Sequence, residues 1–109
     1  MYFEEVHHLA DAAKSWKSCL DYGKLYAREK RFTKAWQLLQ RSDSLLLKIF
    51  PLNSASFKKM QKHYGEIQFH TGLVAGAGMT GKEAARPYFV KAKEYGFPLP
   101  DQLRQAFDL

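Results

Sequence analysis

Four basic side chains, Lys17, Lys24, Arg28 and Arg31, fall at i, i+7, i+11 and i+14. On an α-helix that spacing brings them within about 60° of one another. A second stretch carries Lys59, His63, Glu66 and His70 in an equivalent strip, with Lys62 beside it. Aligned cations of this kind can hold carboxylates or phosphates. The plain alternative is a solvated helix face. Asp21 follows Lys17 by four and Glu66 follows Lys62 by four, so local ion pairs account for part of the pattern.

Other constellations carry less. Gly76-Ala77-Gly78-Met79-Thr80-Gly81-Lys82 satisfies Gly-x-Gly-x-x-Gly and most of a phosphate-binding loop. That loop needs Ser or Thr after its lysine to hold Mg²⁺, and Glu83 stands there. It also needs a buried strand before it, and none is legible, so a flexible turn is expected. Glu4, Glu5, His7, His8 and Asp11 lie within two helical turns and could approach a metal. No Glu-x-x-His partner recurs elsewhere to complete a four-ligand site, so an exposed helix start is expected. Cys19 is the single cysteine, which rules out an intramolecular disulfide and points to a reducing compartment. A nucleophilic thiol needs an activating base that the sequence does not place, so Cys19 is expected to be buried. With no Ser-His-Asp or paired-carboxylate pattern, no enzyme, metal or cofactor is expected.

The 109 residues fit one domain, and 46% apolar with 15% aromatic content can build a core without disulfides or metal. The formal charge of +6 favours acidic partners. No apolar run approaches the roughly 18–20 residues needed to span a bilayer. The longest are Leu45–Leu47 with Ile49 and Phe50, and Leu73–Ala77. Acidic residues and histidines stand where a secretory leader would be basic and then apolar, so a cytoplasmic location without a membrane partner is expected.

The elements that must position the two strips follow from a helical period running almost throughout. Val6, Leu9, Ala13, Trp16, Leu20, Gly23 and Tyr26 form one apolar stripe, predicting a long N-terminal helix over about 2–30. Arg31-Phe32-Thr33 is a tight connection, with Thr33 or a neighbour capping. Ala35, Leu38, Leu39, Leu45 or Leu46, and Ile49 predict a second helix that stops at Pro51. After a capping stretch at 53–56, Phe57, Met60, Tyr64, Ile67 and Phe69 carry a third to about Gly72. Gly72, Gly76, Gly78 and Gly81 predict a glycine-rich turn over 72–80. Thr80-Gly81-Lys82-Glu83 reads as a capping box for a fourth helix, which ends at Gly96. A short C-terminal helix over about 100–108 caps the bundle through Leu103 and Phe107.

The dipeptide Tyr22-Gly23 recurs as Tyr64-Gly65, at i+42. Ala35-x-x-x-Leu39-x-x-Ser42 is matched by Ala85-x-x-x-Phe89-x-x-Ala92. Ala35 stands at i+12 from Gly23 but Ala85 at i+20 from Gly65, so the second turn is expected to carry an insertion. A small residue in mid-helix admits the partner helix, and the large apolar residue fills the gap. Gly23 and Gly65 are therefore expected at packing contacts, and Gly78 in open loop.

These residues resemble the tetratricopeptide repeat, specifically the longer 42-residue variety of kinesin light chains and related scaffolds. Ala85-Arg86-Pro87-Tyr88-Phe89-Val90-Lys91-Ala92 is similar to its second-helix signature, Ala-x-Pro-x-aromatic-x-x-Ala. The resemblance implies an all-α fold of two antiparallel helical hairpins in a right-handed α-α superhelix, with repeats at about 16–51 and 57–98. It also implies that the first helix of each hairpin lines a peptide groove. Lys17, Lys24, Arg28, Arg31, Lys59, Lys62, His63 and His70 would then be its polar walls, and Phe69 an apolar contact. The functional expectation is a protein-binding adaptor or scaffold that holds an acidic or amphipathic segment of another protein. RNA or DNA binding by the same face is the alternative. Self-association into a homo-oligomer through Val6, Leu9 and Ala13 is a further expectation.

Overall fold

Ser15 has extended backbone (φ −139°, ψ 133°), and its hydroxyl accepts from the Ser18 N–H at 3.4 Å. This cap satisfies a backbone donor that the first helical turn leaves without a partner, and it opens α1, Trp16–Arg28. Of the helix expected over 2–30, the described part therefore starts at Trp16 and ends at Arg28. The computed structural model describes residues 15–79 and 81–109. Val6, Leu9, Ala13 and the Glu4–Asp11 cluster lie outside the described residues, as does Thr80 of the expected capping box.

Among the described residues all regular structure is helical. After α1 come α2 (Phe32–Ile49), α3 (Ala55–Val74), α4 (Lys82–Glu94) and α5 (Asp101–Phe107). At the end of α1 the chain turns on Lys30, which sits at φ 62° while the Arg31 N–H donates to the Tyr26 carbonyl at 2.8 Å. Pro51 follows the end of α2, and Ser54 then caps α3. Its hydroxyl accepts from the Phe57 N–H at 3.2 Å and donates to the Pro51 carbonyl at 2.7 Å. Gly81 (φ 93°) opens α4 without a side-chain cap, and Glu83 pairs with Arg86 at 3.7 Å. Gly96 (φ 84°) closes α4, with the Phe97 N–H bonding back to the Ala92 carbonyl at 3.0 Å.

The glycine-rich stretch departs most from expectation. Gly72 is inside α3, and Ala75–Met79 continues it as a π-helical turn. Gly78 lies so close to Phe32 that an added Cβ would overlap the ring. It is a contact position, not open loop.

Each helix packs on its chain neighbour: α1 on α2, α2 on α3, and α3 on α4. The first core holds Cys19, Leu20, Leu39, Leu46, Ile67 and Val74, all at most 1% exposed. Each large side chain so buried contributes about 1.5–3 kcal/mol. The second core joins Ala85, Phe89, Ala92, Leu99 and Phe107, with Phe69 and Phe97 packed against it. The Phe57, Tyr64 and Tyr95 rings interlock edge to face at 5.1–5.6 Å, tying α3 to the end of α4. Arg86 donates to the Phe107 carbonyl at 2.6 Å and docks α5 on α4.

The two packed pairs correspond, but not in the register of the Tyr-Gly dipeptides. A Cβ on Gly23 would stand 2.9 Å from Leu39 Cγ. The matching contact in the second pair is Gly72 on Phe89, where a Cβ would stand 2.7 Å from the ring. The Trp16 carbonyl accepts from the Ser42 hydroxyl at 2.7 Å, and the counterpart position, Gly65, lies beside Ala92 (3.1 Å from a Cβ to the carbonyl). Gly23 to Gly72 and Trp16 to Gly65 are both steps of 49, while Leu39 to Phe89 and Ser42 to Ala92 are steps of 50. Gly65 is a packing contact as expected, with an added Cβ 2.9 Å from Phe97 Cβ, but the glycine set on a large side chain of the partner helix in the second pair is Gly72. The stretch expected as an inserted turn is instead further turns of helix.

Candidate functional site

Helices α1 and α3 touch at two points near the basic strips. The Trp16 ring rests against His63 with centroids 5.5 Å apart, and Lys24 Nζ lies 3.1 Å from Glu66 Oε2. Of the two strips, Lys24 and Glu66 meet directly, and Glu66 takes up the Lys24 charge across the seam. Nearby, Gln68 donates to Asp43 at 3.0 Å, and Tyr64 shares the same carboxylate. Burial, then Asp43, pushes the Tyr64 phenol well above its usual range, so it remains a donor.

His70 lies beside this pair, its Nε2 3.9 Å from the same Glu66 oxygen. Burial, reinforced by the Lys24 ammonium and opposed by Glu66, lowers its pKa from 6.5 to about 4. Desolvation prevails because Glu66 is already matched by Lys24 at shorter range. His70 is therefore neutral at ordinary pH, and the titration near 6.5 expected of an open histidine does not apply to it.

Where the strips reach the end of α1, a cleft of about 300 Å³ opens. Lys24, Ala27 and Arg28 line it from α1 and Phe32 from α2. His70, Leu73 and Val74 line it from α3, and Ala77 from the π-helical turn. Arg28 is exposed at this cleft and has no ion pair among the described residues. Leu73 is 38% exposed. The arrangement offers one guanidinium beside an apolar wall, which suits a carboxylate next to an apolar side chain.

Of the residues expected in a groove, this cleft gathers Lys24, Arg28 and His70. Lys17 pairs with Asp21 at 3.2 Å. Arg31 lies over the Tyr26 ring at 4.9 Å, with Lys34 at 5.9 Å. Lys59 and Lys62 are exposed on the first half of α3 and do not line the cleft, and His63 is held by Trp16. Phe69 packs on Phe97 at 5.0 Å and Phe89 at 5.9 Å, so it builds the second core behind His70. The spacing of basic residues gives no sign of Ala27, Phe32, Leu73, Val74 or Ala77. A glycine-rich turn has no face, whereas a helical period extended past Gly72 places Leu73 and Ala77 one turn apart.

Cys19 is fully buried, and burial raises its thiol pKa against the opposing pull of Arg41. A buried, protonated thiol is a poor nucleophile. Among the described residues no group of three or more His, Cys, Asp or Glu side chains is placed to hold a metal, and no helix is long and apolar enough to cross a membrane. Compared with protein-family models, curated proteins and solved structures, the chain matches none.

Proposed function

We propose that the protein is an interaction module of tetratricopeptide-like helical hairpins, stacked in a right-handed sense, whose cleft holds an acidic, amphipathic segment of another protein. The observation that carries this is Arg28, a cation without an ion pair among the described residues, beside a cleft walled by Phe32, Leu73 and Ala77. Recurrence of the glycine-on-large-residue contact in both helix pairs supports the repeat reading. Pro87 within α4 agrees with the second-helix signature.

The test uses a fluorescein-labelled peptide with one leucine flanked by glutamates. Arg28→Glu should weaken binding about tenfold, the scale of a charge-assisted hydrogen bond. Lys48→Glu and Lys91→Glu, exposed and outside the cleft, control for overall charge. Equal weakening by all three would reduce the effect to net charge and remove the cleft from the reading.

Nucleic-acid binding has an observation of its own. Lys58, Lys59 and Lys62 are exposed on α3, and no acidic residue lies between Ala55 and Tyr64. A labelled oligouridine that binds, with affinity falling by several log units over a fourfold rise in salt, would favour this second reading.

A further inference from the structure

The π-helical turn stands between two clefts. Leu73 and Ala77, which wall the Arg28 cleft on one side, also wall a second groove of about 250 Å³ on the other. Its far side is Lys82, Phe89, Leu103 and Phe107. The groove exists because Gly72 and Gly76 present no side chains there, which lets Phe89 and Ala85 approach the α3 backbone and leaves Leu73 and Ala77 as a ridge. Lys82 is exposed at its rim, 5.2 Å from the Phe107 ring centroid, and has no ion pair among the described residues. Each cleft thus joins an apolar wall to one cation without a carboxylate partner among the described residues.

We infer that one partner segment straddles the Leu73–Ala77 ridge, with an apolar side chain in each cleft and carboxylates meeting Arg28 and Lys82. This rests on the binding reading above and adds a second anchor to it. The occupant is an acidic segment with two apolar anchors. A basic or neutral segment would leave both cations unmatched, and a single-anchor segment would leave the second groove open to water.

Two sets of fluorescein-labelled peptides test this. One carries a single leucine among glutamates; the other carries two, spaced three, four or seven positions apart. At least one two-leucine peptide should bind about tenfold more tightly than the single-leucine peptide, the scale for burying one aliphatic side chain. Lys82→Glu should remove that gain and leave single-leucine binding unchanged, whereas Arg28→Glu should weaken both. Lys82 opens α4, where a glutamate is favoured by the helix dipole, so the fold is not at risk. If no two-leucine peptide gains, or if Lys82→Glu leaves the gain intact while Arg28→Glu still acts, the straddling mode is wrong and the single-cleft reading survives. If Arg28→Glu weakens neither peptide, both are wrong. Amide NMR shifts on adding the two-leucine peptide give an independent readout: Arg28 and Lys82 should both move, and movement of Arg28 alone would overturn the inference.

Discussion

In the first helix pair α1 meets α2 where Gly23 lies on Leu39; in the second, α3 meets α4 where Gly72 lies on Phe89. The contact has the same physics in both, since a missing Cβ lets a large apolar side chain of the partner helix come in. The path of the chain beyond the glycine differs. After Gly23 it leaves α1 within a turn and a half and turns on Lys30. After Gly72 it stays helical as far as Met79, by way of the π-helical turn. That added length sets Gly78 on Phe32, joining the second pair back to the first, and raises the ridge between the two clefts. Two helix pairs built on one kind of contact thus acquire their clefts from the way they differ.

The sharpest way to break the comparison is to enlarge the contact glycines. Gly72→Leu should cost about 3 kcal/mol, the upper range for overpacking. In a double-mutant cycle measured by urea unfolding, Gly72→Ala should couple to Phe89→Leu as Gly23→Ala couples to Leu39→Ala. Additive behaviour of Gly72 with Phe89, together with coupling of Gly65 to Phe89, would restore the register of the Tyr-Gly dipeptides.

Gly78→Ala should cost about 1–3 kcal/mol, because the overlap falls on the Phe32 Cβ and inner ring, which have little room to yield. A cost near zero would return this stretch to open loop.

Acid should weaken the seam between the pairs. His70, facing Lys24, Glu66 and Arg28, has a folded pKa of about 4 against 6.5. Between those values the unfolded chain takes up a proton that the folded chain refuses, so stability falls as pH drops from 6.5 towards 4. Above 6.5 this contribution is flat. The loss should be about 1–3 kcal/mol. Urea midpoints at about pH 7 and pH 4.5 should show it in the wild type and lose it in His70→Gln. An unchanged difference in His70→Gln would place His70 in water.

The smallest effect concerns the turns. Gly96 closes α4 at φ 84°, and Lys30 closes α1 at φ 62°. Lys30→Gly removes a Cβ clash and should stabilise by about 0.5–1 kcal/mol, read as a small rise in melting temperature. A drop would mean that the greater freedom of glycine in the unfolded chain outweighs the strain.

Much of this was legible in the residues. The stripe Trp16, Leu20, Gly23, Tyr26 gives α1, Pro51 and Ser54 bracket the α2–α3 turn, and Gly96 ends α4. The basic strips could be placed on facing helices, but their charge state could not. Lys24 is matched by Glu66, a residue on another helix, and His70 is neutral because of its surroundings. Phe69, with the same apolar side chain that a ligand contact would use, is taken into a core by Phe89 and Phe97.

The sequence by itself determined the all-helical class, the places where most helices start and stop, and the apolar faces, because these depend on spacing within a few residues. Only the tertiary structure decided which glycine meets which large side chain, that 72–79 is helix, and where the clefts lie. Gly72 is a poor helix residue alone. It stays in α3 because Phe89, far along the chain on α4, packs where its side chain would be. Such a contact leaves no mark on local periodicity, since the residue that stabilises the helix belongs to another one.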